Sequence, residues 1–185
     1  MYFCRSSDED IRHRAIAGIG FFFIRYDRMM LREASRTLYI EILKRFDSPV
    51  KLKCQVLKNL QAHLLGDEKR LTKQNQEMRK ELKTDGITDL KTYGDEKSSV
   101  SGAVSQMLLA PIHHCFFHKT TQVRSAAVQV ICLVLHQGLL HPISCIQYLI
   151  AICTDLDEAN RIKAEQTLIE LDGKYPLFLH RFVPI

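Results

Sequence analysis

One helix-opening pattern recurs four times and restricts the folds that the chain can adopt. Each copy has a basic residue in what we predict is the first turn of a helix, and a small residue three positions later. The small residues are Ala15, Cys54, Ala127 and Ala164, separated by 39, 73 and 37 positions. The basic residues are Arg12, Lys51, Arg124 and Arg161. A period of this length with two helices in each unit is typical of HEAT repeats.

The clearest copy is the stretch TQVRSAAVQVICLVLHQG, residues 121–138. We expect Thr121 to cap the start of this helix and Gly138 to end it, because glycine tolerates a left-handed backbone. Apolar residues cover more than half of its circumference. A helix that is apolar so far round packs against neighbours on more than one side.

The rest of the chain predicts further helices in the same way. We expect them at about 11–24 after a cap at Ser7, at 28–44, at 49–66, at 100–116, from His141-Pro142, and from Asp155 to Gly173. No stretch shows the sustained alternation of a strand. The predicted fold is an all-α HEAT-repeat α-solenoid of antiparallel helix pairs. Residues 1–66 and 102–185 are predicted to form repeats, the first of them truncated, and 67–101 a charged, flexible insertion. Within the insertion, Leu71, Met78 and Leu82 could support one weak, exposed helix up to Lys83.

The composition, 46% hydrophobic and 25% charged, is that of a globular protein. The start of the sequence does not resemble a signal peptide, and no apolar run reaches the ~20 residues of a membrane span. Six cysteines form no CxxC pair, so we expect reduced core residues. The net charge of +5 comes entirely from residues 1–65, with 12 Lys/Arg against 7 Asp/Glu, a bias that suits an acidic partner.

The resemblance to a known family rests mainly on VRSAAVQVICLVLHQGLLHPISCIQYLIAICTD, residues 123–155, and on NRIKAEQTLIELDGKYPLFLH, residues 160–180. Residues 104–182 resemble the C-terminal domain of Nipped-B-like sister chromatid cohesion loaders. IRHRAIAGIGFFFIRYD, residues 11–27, is similar to the preceding repeat of that family.

The resemblance implies a large hook-shaped nuclear HEAT protein, of which we expect this chain to be the C-terminal part. With a loader partner subunit, such a protein loads the cohesin ring onto DNA, independently of DNA sequence, and stimulates the cohesin ATPase. Cohesin subunits, the partner subunit and DNA are therefore the expected partners. The alternative is a generic HEAT scaffold for transport or adaptor assembly, with no role at DNA.

No enzymatic site is predicted. The sequence contains no P-loop, dinucleotide fingerprint or nucleophile elbow, so we expect neither a cofactor nor a small-molecule substrate. His114 and His118 are four residues apart and could share one helix face, but Cys115 stands where a zinc protease has glutamate. We interpret this cluster as a packed helix end without a metal.

Six arginines are candidate contacts for DNA or for an acidic protein patch. Arg25, Arg28, Arg32 and Arg36 are spaced 3, 4 and 4, which on a continuous helix gives one face about 16 Å long. Arg12 and Arg14 lie on the neighbouring helix. Such a row could follow the phosphates of a DNA backbone. The alternative is a solvated face with local pairing, for example between Glu33 and Arg36.

Arg124 and Arg161 have a different predicted role. A basic residue in the first turn opposes the helix dipole, so we expect it to reach acidic groups or carbonyls of an adjacent repeat, such as the Asp/Glu at the preceding turn. We therefore interpret both arginines as structural links between repeats.

Overall fold

The computed structural model describes residues 2–81 and 92–175, and these contain seven α-helices, three short 3-10 segments and no strand. The helices are α1 (Glu9–Arg25), α2 (Glu33–Lys44), α3 (Val50–Glu81), α4 (Thr92–Phe116), α5 (Thr121–His136), α6 (Ile146–Ile152) and α7 (Glu158–Lys174). The 3-10 segments are Tyr2–Arg5, Asp27–Leu31 and Pro142–Ser144. None of these helices is long and apolar enough to cross a membrane.

The helices form two layers. Helices α1, α3, α5 and α7 pack side by side in one layer, and α2, α4 and α6 lie in the other. Consecutive helices also pack against each other across the layers, in the pairs α2–α3, α4–α5 and α6–α7. This arrangement confirms the predicted all-α fold of helix pairs, a HEAT-like α-solenoid.

The core lies between the layers and contains side chains from every helix. The small residues Ala127 and Ala164 are fully buried, and Ala15 and Cys54 are partly buried against the core. All six cysteines are free thiols, four of them buried and two partly buried. Burial raises the pKa of the Cys115 thiol to about 11 and makes it inert at neutral pH.

A buried asparagine joins the first three helices. The Asn59 Nδ2 group of α3 donates to the carbonyl of Ile16 in α1 at 2.8 Å and to the Tyr39 hydroxyl of α2 at 2.9 Å. Gln55 Nε2 donates to Asn59 Oδ1 at 2.9 Å. Gly20 of α1 lies directly against the Asn59 amide, and a Cβ atom there would overlap it. The glycine therefore allows α1 and α3 to approach closely.

Several predicted helix ends are wrong. Asp8, not Ser7, caps α1 and accepts hydrogen bonds from the backbone of Asp10 and Ile11. Gly66 and Gly173 lie inside α3 and α7 instead of ending them. Near Gly66 the helix continues because Asp67 of the next turn is itself packed against α4, through a hydrogen bond from Ser101. Both ends of the predicted insertion are thus helical, in 67–81 and 92–101.

The ends of α5 are closer to the prediction. Thr120 occupies the N-cap, one residue before the predicted Thr121, and makes no side-chain capping bond. Gly138 has the left-handed backbone that the sequence predicts, with φ 68°. The backbone bonds from Leu139 to Val134 and from Gly138 to Leu135 complete the C-terminal capping motif. His141-Pro142 begins only a 3-10 turn before α6, with the His141 ring accepting from the backbone of Ile143.

The continuous helix predicted for 28–44 is also wrong. Residues Asp27–Leu31 form a 3-10 segment, Arg32 is extended with φ −62° and ψ 141°, and α2 begins only at Glu33. Met30, buried to 1% exposure, anchors the 3-10 segment in the core. Because apolar spacing of three and four suits both helix types, the pattern did not reveal the break.

Candidate functional site

Arg124 and Asp155 form a bidentate ion pair, in which two guanidinium nitrogens contact both carboxylate oxygens. Arg124 is the fourth residue of α5, and Asp155 lies in the turn before α7. The Arg124 Nε and Nη2 atoms donate to the two Asp155 carboxylate oxygens, both at 2.7 Å. The Asp155 side chain is 2% exposed. The guanidinium hydrogen bonds lower the pKa of Asp155 to about 2, and the same contact raises the pKa of Arg124.

The remaining donors around this pair bind turn residues. Arg124 Nη1 donates to the carbonyls of His118 and Lys119 at 2.9 and 3.1 Å. Asp155 also accepts from the backbone of Asp157 at 2.8 Å and from Asn160 Nδ2 at 3.2 Å. The pair thus connects the turn before α5 with the turn before α7, that is, two successive repeats.

Arg161 of α7 repeats the contacts that Arg124 makes with the carbonyls of the preceding turn. It is also the fourth residue of its helix, and its Nη1 atom donates to the carbonyls of Asp155 and Leu156 at 2.9 and 3.2 Å. These carbonyls lie six and five residues before Arg161, as those of His118 and Lys119 do before Arg124. The arginine of the first turn therefore holds the turn that leads into its own helix.

In α3 the buried cation is not the residue that the repeat alignment selected. Lys51 is exposed, whereas Lys53 is 1% exposed and donates through Nζ to the carbonyl of Leu43 at 2.9 Å. Burial lowers the pKa of Lys53. Lys51 and Lys53 are two positions apart, so they lie on opposite sides of α3, and only Lys53 faces the core.

The two histidines that the sequence spacing paired, His114 and His118, lie on either side of a helix end. Helix α4 ends at Phe116, so His114 and His118 do not share a helix face. His114 is exposed, and His118 Nδ1 accepts a hydrogen bond from the backbone of Thr120 at 3.1 Å. Within 2–81 and 92–175, no three His, Cys, Asp or Glu side chains are grouped as metal ligands.

His113 is instead a core residue. Its ring stacks on Tyr148 of α6, with the ring centroids 3.6 Å apart and the planes 18° from parallel. Its Nε2 atom is buried without a hydrogen-bond partner. Burial lowers the pKa of His113 to about 4, so the ring is neutral at physiological pH.

A buried Ser–His–Asp group lies between α3 and α4, but its geometry is not that of a hydrolase. The Ser101 hydroxyl donates to Asp67 Oδ2, and His63 Nε2 is 3.4 Å from Ser101 Oγ and 3.5 Å from Asp67 Oδ2. Serine and aspartate thus meet the same ring nitrogen, whereas His63 Nδ1 has no partner. A catalytic relay needs them on opposite nitrogens. The group joins the two helices.

The six candidate arginines do not form one row on one helix. Arg25 ends α1, Arg28 lies in the 3-10 segment, Arg32 is the extended junction and Arg36 is in α2. These four and Arg14 are exposed, whereas Arg12 is partly buried. The shared helical face that the spacing predicted is therefore absent, and the exposed arginines are distributed over a helix end, a turn and a helix start.

Comparison with known proteins covers almost the whole chain. Residues 101–183 match the family model described as "Sister chromatid cohesion C-terminus". The Nipped-B-like proteins of Homo sapiens and Mus musculus are each 42% identical over 180 residues, which is 97% of this chain. The chain belongs to the Nipped-B family. The Nipped-B protein of Drosophila melanogaster is 31% identical over the same share of the chain.

The chain spans only a small part of these Nipped-B relatives, 6% of the length of the human and mouse proteins and 8% of that of the Drosophila protein. The Nipped-B family model includes the Arg124–Asp155 contact and Arg161, which lie within 101–183. The exposed arginines lie outside the residues that the family model matches, in a part of the chain that is covered by the similarity to the Nipped-B-like proteins.

Proposed function

We propose that the chain is a non-catalytic HEAT-repeat scaffold of a Nipped-B-type cohesin loader in the nucleus. In this role it helps to load the cohesin ring onto DNA and to stimulate the partner's ATPase. The observation that supports this proposal is the similarity to Nipped-B-like proteins over 97% of the chain. The polar groups described above support a scaffold rather than a chemical step, because their hydrogen bonds join helices and turns.

The proposed protein partners are cohesin subunits and a loader partner subunit. They can be tested directly with the 185-residue chain carrying an affinity tag. We expect it to retain at least one purified cohesin subunit or the purified partner subunit. A chain that retains none of them in binding experiments would favour the generic HEAT scaffold of another assembly.

The proposed DNA contact uses the exposed arginines Arg14, Arg25, Arg28, Arg32 and Arg36. The charge distribution supports it, because all of the excess positive charge lies in residues 1–65. Contacts from arginines to phosphates give affinity without base recognition. Each phosphate neutralised releases counterions, so binding of this kind weakens strongly as salt rises.

The DNA proposal is tested by reversing three charges, Arg25→Glu, Arg32→Glu and Arg36→Glu, in one chain. We expect weaker binding to a short DNA duplex and a flatter dependence of log Kd on log salt, with an unchanged melting temperature. The matched control reverses three exposed lysines on α3 and α7, Lys58, Lys69 and Lys163. Equal losses in the two variants, or no loss in either, would exclude a specific role for the arginines.

A further inference from the structure

A polar cleft lies at one edge of the solenoid, and nothing in the loading function assigns it a role. It has a volume of about 450 Å³ and lies between the segment Tyr2–Arg5, helix α1, the end of α2 and the turn into α3. Its wall carries three arginines and two carboxylates: Arg5, Arg12, Arg45, Glu41 and Asp47. A concave surface of this size is large enough to receive a side chain of a partner, and its charged wall would select a charged group.

Two of the three arginines already have acidic partners. Arg5 Nη2 is 3.3 Å from Glu41 Oε2, and Arg45 contacts both Asp47 oxygens, Nε at 3.0 Å and Nη2 at 2.7 Å. Arg12 differs. No carboxylate of the described residues forms an ion pair with it, and its Nε atom is buried without an acceptor. A buried donor without an acceptor carries an uncompensated desolvation cost.

Elsewhere in the chain, an arginine at the equivalent helix position has a carboxylate partner. Arg12 is the fourth residue of α1, as Arg124 is of α5. Helix α1 packs on α3 as α5 packs on α7, so the turn before α3 corresponds to the turn before α7. In the second case that turn supplies Asp155 to the Nε and Nη2 atoms of Arg124. In the first case the turn supplies Asp47, but Arg45 occupies both of its oxygens.

We propose that this cleft binds the carboxylate of an aspartate or glutamate side chain from an acidic segment of another protein, with the Arg12 guanidinium as the donor. The occupied Arg124–Asp155 pair supplies the chemistry of the ligand, since a planar guanidinium matches a carboxylate in this way. The charge of the wall favours one carboxylate over a DNA backbone. Successive phosphates would approach Glu41 and Asp47, and the cleft has only one arginine in excess of its carboxylates.

The contact would be a partner surface of the proposed scaffold, but it does not depend on cohesin loading. The test uses the 185-residue chain labelled with ¹⁵N and a Gly/Ser peptide with a central Asp-Glu-Asp. The Nε–Hε resonance of Arg12 is assigned by its loss in Arg12→Lys. We expect this resonance to shift on addition of the peptide up to about 1 mM, and not to shift with the Asn-Gln-Asn peptide.

Variants provide the second readout. Arg12→Gln is expected to weaken peptide affinity at least about tenfold. Arg12→Lys is expected to lose less affinity than Arg12→Gln, because lysine keeps the positive charge. It should still bind more weakly than the wild type, because it lacks the planar guanidinium. Lys58→Gln, which removes one exposed charge from α3, is the control and should leave the affinity unchanged. The titration itself is performed on the wild-type chain and uses only Arg12→Lys for assignment, so misfolding of Arg12→Gln does not prevent the test.

Three results would overturn the proposal. The first is an Arg12 resonance that the acidic peptide leaves unmoved, and the second is an equal response to the amide peptide. The third is a short DNA duplex that shifts the Arg12 resonance at lower concentration than the acidic peptide, which would assign the cleft to phosphate instead. Failure of cohesin to bind the chain has no bearing on any of these outcomes.

Discussion

Arg124 and Asp155 hold two successive repeats together through a contact that uses both Asp155 carboxylate oxygens, each 2.7 Å from a guanidinium nitrogen. The arginine lies in the first turn of α5 and the aspartate precedes α7, so the contact joins the starts of these two helices. A solenoid is stabilised largely by interfaces between neighbouring repeats. A polar contact at that interface fixes the rotation of one repeat against the next more narrowly than apolar packing does, because its hydrogen bonds are directional.

Removal of either member of this pair should destabilise the chain. We expect Asp155→Asn and Arg124→Lys each to lower the free energy of unfolding by about 2–3 kcal/mol, because a largely buried charge loses its partner geometry. The double variant should lose clearly less than the sum of the two. The measurement is urea unfolding followed by circular dichroism.

The matched control is Glu170→Gln, which removes an exposed acidic charge from α7. We expect it to change the stability by less than about 0.5 kcal/mol. Strictly additive effects of Arg124→Lys and Asp155→Asn would show that the two side chains do not stabilise each other in solution.

His113 and Asp155 should affect stability in different pH ranges. Burial lowers the pKa of His113 from 6.5 to about 4, so the unfolded chain binds a proton between these values that the folded chain does not. Stability should therefore fall as the pH drops from about 6.5 to 4, by about 1–3 kcal/mol. His113→Phe keeps an aromatic ring on Tyr148 and should flatten this part of the profile, measured as melting temperature against pH.

Asp155 makes the stability depend on pH in a lower range than His113 does. Its pKa is lowered from 3.8 to about 2, so its contribution is complete above the unfolded value and is lost as the pH falls from 3.8 to 2. Asp155→Asn should therefore flatten the profile only below about pH 4, and His113→Phe only above it. A profile of His113→Phe that parallels the wild type between pH 6.5 and 4 would exclude a contribution of His113, since burial also lowers the pKa values of His63 and His118.

The reactivity of the six thiols tests the packing of the core. Burial raises the pKa of all six thiols, that of Cys115 to about 11. We expect slow alkylation of the native chain at pH 8, with Cys54 and Cys153, the two partly buried thiols, modified before the four buried ones. Mass spectrometry of digested samples measures each site, and chain unfolded in guanidinium gives the unprotected rates. Rapid modification of Cys115 in the native chain would contradict the packing of α4 on α3.

The sequence predicted the helices and their pairing because both depend on local apolar spacing and on the repeat period. The Gly138 C-cap was also predictable, because glycine is the usual residue in its left-handed conformation. The helix end predicted at Gly66 is wrong because contacts on both sides of the glycine hold the chain in the helix. Ser101 of α4 donates to Asp67, and Gln137, which follows α5, donates to the carbonyl of Leu64 and to Glu68. The break at Arg32 depends on the anchoring of Met30 in the core, which spacing along the chain does not encode.

The polar contacts were less predictable than the helices. The position of Arg124 in the first turn pointed to an acidic group of an adjacent repeat, but its choice of Asp155 depends on how α5 and α7 pack. Nothing in the sequence pointed to Asn59, which is one polar residue among many and becomes a junction of three helices only in the folded chain.

The two glycines of α1 provide a matched test of that junction, since Gly18 and Gly20 are two residues apart in the same helix. Gly18→Ala meets no atom within 4 Å and should raise the free energy of unfolding by roughly 0.5–1 kcal/mol, because alanine favours a helix. Gly20→Ala should instead lower it by at least about 2 kcal/mol, since its methyl group displaces the buried Asn59 amide from Ile16 and Tyr39. Addition of Asn59→Ala to Gly20→Ala removes the overlap, so the double variant should be more stable than the two single effects predict. Equal effects of the two glycine substitutions, measured by urea unfolding, would show that α1 does not lie this close to α3.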